Sequence, residues 1–190
     1  MKVQIRHGVF ETNSSSTHSL VLFHQSDIEK LKLKDTDAPP DGYGYHWNNF
    51  ILVSDDAKLD YLVATIRANF NGYIYEKLDK ETYDSPGYTQ RKRKAEREVE
   101  NVLFKLIEKY FPPKYNPPLH SEGVDHASKL HFDVNPKNGR YNEKKFRTIY
   151  NMVMRQGTVV FGGNDNEYEP TLWDIAKSHG KIQDTSGYRK

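Results

Sequence analysis

The chain has 190 residues, no cysteine and a formal net charge of +2. That length suits one domain with a real core, hiding roughly 70% of its unfolded surface. The missing cysteines exclude a disulfide scaffold, thiolate zinc sites and a Cys nucleophile. No apolar run approaches the ~20 residues that span a bilayer, and Lys2 leads into an alternating Val3-Gln4-Ile5 instead of an apolar signal segment. The expectation is a soluble, cytoplasmic protein with no membrane partner.

Residues 2–10 read as a strand, with Val3 and Ile5 on one face and Gln4 and Arg6 on the other. Residues 11–16 form a polar turn, and residues 17–24 read as a second strand, which predicts an N-terminal hairpin. Residues 25–48 look like loop, punctuated by Pro39-Pro40, Gly42 and Gly44. Residues 49–53 are a short buried strand. Ser54, Asp55 and Asp56 then open a helix to about residue 70, with Leu59, Leu62, Val63 and Ile66 as its apolar stripe and Asn71-Gly72 as its end.

A longer helix is expected over residues 89–111, where Ala95, Val99, Val102, Leu103, Leu106, Ile107 and Tyr110 keep helical spacing until Pro112-Pro113. Residues 129–134 look like a strand. Asn142 caps a helix to residue 155, Gly157 ends it, and residues 158–161 form an apolar strand. Gly162 to Asn166 is a loop, and Pro170 opens a closing helix over residues 171–179. The class is α+β, a mixed or antiparallel sheet with an N-terminal hairpin and about four helices. Residues 1–180 read as a single domain and 181–190 as a flexible tail.

The densest chemistry lies in residues 6–19. Arg6, His7, Ser14, Ser15, Ser16 and His18 bring a guanidinium, two imidazoles and three hydroxyls into one short stretch. Backbone amides of a Ser-rich turn form anion-binding nests, and an adjacent Arg clamps phosphate. Two imidazoles near neutral pKa suit the base and acid roles of phosphodiester cleavage. In that scheme Arg6 holds the scissile phosphate, His7 and His18 exchange protons, and Ser14, Ser15 and Ser16 donate to the developing charge. No metal and no cofactor is called for. The plainer reading is that Ser and Thr fill the turn because they bond their own backbone.

The stretch Arg6-x-Gly-Val-Phe-Glu-Thr-Asn-Ser-Ser-Ser-Thr-His18-Ser19 resembles the opening of a family of small proteins carried by phages and other mobile elements of Gram-positive bacteria. The resemblance covers about the first 24 residues. It implies a counter-defence protein, with anti-CRISPR proteins that act on the guide RNA of Cas9 among its relatives. Expected partners are then RNA or a host ribonucleoprotein, Cas9 with guide RNA included, or a host protein. It carries over no catalytic residues.

Arg91, Lys92, Arg93, Lys94 and Arg97 crowd a helix start and suit a phosphate backbone. The competing reading is a solvated face with Lys92–Glu96 and Lys94–Glu98 pairs. Tyr43, Tyr45 and Trp47, beside His46, suit base stacking or a protein partner. Tyrosine is abundant, 13 of the 190 residues, which favours either contact. His120, His126 and His131 with Glu122, Asp125 and Asp133 fit no established zinc spacing. Glu167-x-Glu169 is similar to the acidic pair of ADP-ribosyltransferases, but Arg6 and Ser14 to Ser16 lie too close together for that fold.

The leading expectation is therefore a counter-defence protein that engages RNA and cleaves it by metal-independent phosphodiester transfer. The alternatives are a non-enzymatic inhibitor of a host protein and a nucleotide-handling, ADP-ribosyl-type transferase.

Overall fold

A computed structural model describes residues 16–22, 25–36, 50–78, 85–117, 130, 132–164 and 181–184. In chain order these hold β1 (Ser16–Leu22), α1 (Gln25–Lys30), β2 (Phe50–Leu52), α2 (Asp55–Leu78), α3 (Tyr88–Tyr110), α4 (Glu143–Val153), β3 (Thr158–Asn164) and β4 (Lys181–Asp184). The class is α+β. The four strands form one sheet in the order β2-β3-β1-β4, with every pair antiparallel.

β1 is the second strand of the anticipated hairpin, and residues 2–10 lie outside the described residues. β1 pairs with β3 along its whole length, Ser16 with Asn164 through Leu22 with Thr158. Its Ser19–Leu22 stretch is flanked on the other side by β4. Residues 181–184, expected in the tail, are thus a strand, and the Lys-Ile-Gln-Asp run is too short and polar to announce it.

Phe50 and Leu52 of β2 and Val160 of β3 join one apolar cluster with the helices, whereas Ile51 and Val159, one residue out of phase, are buried outside it. α2 is the central helix. Ser54 caps it, accepting from the Ala57 amide at 3.2 Å. From Lys58 to Ile66 only Asp60 is less than fully buried, so α2 has no solvent face there. It runs on past Asn71-Gly72, because Tyr73 and Leu78 are still anchored in the interior. α3 packs Ala95, Val99, Leu103 and Leu106 inward, and α4 packs Phe146, Ile149 and Val153. Asn142 caps α4 as expected, its side chain accepting from the Lys145 amide at 3.1 Å.

Two further expectations are corrected. Residues 25–30, read as loop, form α1, anchored by the buried Ile28 and closed by Lys32 at φ 53°. Fewer than two turns leave no periodicity to read. The anticipated strand at 129–134 is not one among the described residues. Leu130 and Phe132 are buried, but Asp133 turns the chain at φ 57° and the Phe132 carbonyl accepts from the Asn142 amide.

Candidate nucleic-acid interface

A helix advances about 100° per residue, so the inward stripe of α3 fixes what faces out. Arg93, Arg97 and Phe104 fall within about 40° of one another, and Lys94 and Lys105 flank them on one side. Arg93, Lys94, Arg97 and Lys105 are all exposed, and Phe104 is 55% exposed. Phe104 escapes a search for apolar stripes because it breaks their phase. The signal that finds it is an aromatic residue seven positions after Arg97 on the polar face.

The cations of this helix are not equivalent. The Arg91 guanidinium donates to the Pro86 carbonyl at 2.7 Å and lies over Gly87, where a Cβ would sit 3.0 Å from it and where φ is +81°. Lys92 lies 3.9 Å from Glu96, the anticipated pair. The other anticipated pair, Lys94 with Glu98, is absent among the described residues. The Glu98 carboxylate instead accepts from the Tyr73 hydroxyl of α2. Glu100 is drawn inward too, receiving Arg67 Nε at 3.0 Å and Nη2 at 3.2 Å in a fork-to-fork pair. α2 thus engages two carboxylates of α3. Arg93, Lys94 and Arg97 are left with no side-chain partner among the described residues. Cations near a helix N-terminus also oppose its dipole, so this face gains from an anion.

Of the N-terminal cluster, Arg6, His7, Ser14 and Ser15 lie outside the described residues, and so do Tyr43, Tyr45 and Trp47. Ser16 and His18 belong to β1. Ser16 pairs with Asn164, and His18 with Gly162, which pairs in turn with Phe50 on its other side. β4 reaches only as far as Ser19, so Ser16, Thr17 and His18 have β3 alone as strand neighbour among the described residues.

His120, Glu122, Asp125, His126, His131, Glu167 and Glu169 also lie outside the described residues. Asp133 is a turn residue, bonded by Lys145 Nζ at 2.8 Å and by the Asn142 side-chain amide at 3.4 Å. No group of three or more potential metal ligands occurs among the described residues. No helix among them is long and apolar enough to cross a membrane. No family model, no curated protein and no solved structure matches this chain.

Proposed function

We propose that this protein binds RNA through the outward face of α3, with Arg93, Lys94 and Arg97 on phosphates. One observation carries the reading: Tyr73 and Arg67 engage Glu98 and Glu100, so three exposed cations stand without carboxylates among the described residues. The resemblance of residues 6–19 to mobile-element proteins extends it to counter-defence, directed at a ribonucleoprotein such as Cas9 with its guide RNA.

The test is fluorescence anisotropy with a labelled RNA across a salt series, comparing the parent with a variant carrying Arg93→Gln, Lys94→Gln and Arg97→Gln. Each lost single-strand phosphate contact flattens the plot of log K against log salt by about 0.7. A slope reduced by about 2 supports the reading. Unchanged affinity and slope in a folded variant overturn it.

The second reading adds cleavage of the bound RNA by the N-terminal cluster. What favours it is the position of Ser16, Thr17 and His18, at an end of an inner strand that has β3 alone as strand neighbour among the described residues. Incubation with structured RNA in EDTA tests it, and uncut RNA at high protein excess removes it.

A further inference from the structure

We propose that the α3 face takes single-stranded rather than duplex nucleic acid, with Phe104 as the platform on which one unpaired base stacks. The proposal rests on the RNA-binding reading of α3 and goes beyond it by naming the form of the strand.

The argument starts from where an exposed aromatic stands. Scattered surface hydrophobics are ordinary. Phe104, however, shares a narrow sector of one helix with two arginines that show no partner among the described residues. At 1.5 Å per residue, Arg93 and Arg97 lie about 6 Å apart along the axis, and Phe104 about 10.5 Å beyond Arg97. The order along the helix is thus charge, charge, ring. Asn101, exposed and three residues before Phe104, is its neighbour on the surface and offers an amide donor and acceptor to the edge of a base.

A duplex presents phosphates and groove edges but keeps its base faces stacked on each other. It satisfies the arginines and leaves the ring in water. An unpaired strand offers both phosphates and an open π-face, the pairing that single-strand binders use. Phosphate and base are common to RNA and DNA, so both strands belong in the test.

The experiment measures binding of a labelled 12-nucleotide RNA, the same DNA sequence and a blunt RNA duplex to the parent, Phe104→Ala, Phe104→Trp and an Arg93→Gln, Arg97→Gln double variant. Circular dichroism checks that each is folded. Expected for Phe104→Ala is a loss of roughly tenfold on the single strand, on the order of one stacked base, with the salt slope kept. The duplex should change less than twofold, and Phe104→Trp should hold parental affinity. A DNA strand that behaves as the RNA does supports the same site acting without the 2′-hydroxyl.

Equal losses on strand and duplex overturn the proposal, as does an unchanged single-strand affinity. If Phe104→Ala is neutral while the double variant loses binding, stacking alone fails and the RNA-binding reading stands. If both are neutral, both fail. A parent that is dimeric and becomes monomeric on Phe104→Ala assigns the ring to a contact between copies and overturns the stacking role.

Discussion

The Glu98 carboxylate on α3 accepts the hydroxyl of Tyr73 on α2, and not the ammonium of Lys94 one turn earlier on its own helix. An exposed i,i+4 ion pair is worth only a few tenths of a kcal/mol, so a half-buried bond to a fixed hydroxyl competes with it successfully. Lys77 sits over the same Tyr73 ring, 5.2 Å from its centroid. Local helix chemistry thus yields to packing between helices, and the outer face of α3 becomes more positive as a result.

That contact makes a prediction at alkaline pH. Burial, together with the Glu98 carboxylate beside it, pushes the Tyr73 hydroxyl from its ordinary 10 up to about 12. A raised folded-state value means that the stabilisation is complete below pH 10. It is lost as pH climbs towards 12, where the unfolded chain ionises first. Tyr73→Phe removes this one contribution. The stability advantage of the parent over the Phe variant should shrink between pH 10 and about 12 in thermal melts, and a flat difference would show that Tyr73 titrates as in an unfolded chain. At neutral pH the same variant frees Glu98 for Lys94 and should weaken RNA binding.

Asn69 serves the backbone of Leu130 and Phe132 from the neighbouring helix α2. Its Nδ2 donates to the Leu130 carbonyl and to the Thr65 carbonyl, both at 2.8 Å, and its Oδ1 accepts from the Phe132 amide at 3.4 Å. Asn69→Leu keeps the γ-branched outline of the side chain and strands two buried backbone groups. It should cost about 2–4 kcal/mol in urea melts. A loss below about 1 kcal/mol would mean that these groups find other partners.

Asp35 ties the segment after α1 to the start of α2. Its Oδ1 accepts from the Val53 and Ser54 amides, the latter at 2.9 Å. Partial burial pushes its carboxyl up, but the bonds from Ser54 and Val53 and the charge of Lys58 outweigh that and hold it below its usual 3.8. Lys58 is itself buried, with Nζ 3.7 Å from Asp55, and burial lowers its ammonium against the pull of both carboxylates. A depressed carboxyl contributes stability present above pH 3.8 and lost as pH falls through its folded value. Asp35→Asn should therefore be less stable than the parent by about 1 kcal/mol at pH 7 and closer to it at pH 3. A pH-independent difference would assign the loss to geometry instead of charge.

Sequence patterning reveals the two amphipathic helices well. α3 and α4 each keep one buried stripe against a polar face, and Asn142 marks its cap by chemistry alone. α2 is harder, because burial on nearly all sides erases the contrast that sets an end, so Asn71-Gly72 reads as a stop that Tyr73 and Leu78 override. Residues 130–134 alternate like a strand, but their backbone is served by a side-chain amide 61 residues away, which no local pattern announces. At the α3 face the cations are plain in the sequence. Their lack of partners is not, since it depends on where Glu98 and Glu100 turn.

His18 offers a sharp separation between chemistry and packing. It shares a rung with Gly162, and the third member of that rung, Phe50, is a core residue only 6% exposed. If His18 moves a proton in phosphodiester cleavage, His18→Ala should abolish cleavage in EDTA and change stability by less than about 1 kcal/mol, as a substitution away from core contacts does. Denaturant melts and RNA cleavage measured on the same preparation decide it. A stability loss above about 3 kcal/mol would make His18 a packing residue of the sheet. The cleavage reading would then lose the only one of its two imidazoles that the described fold contains.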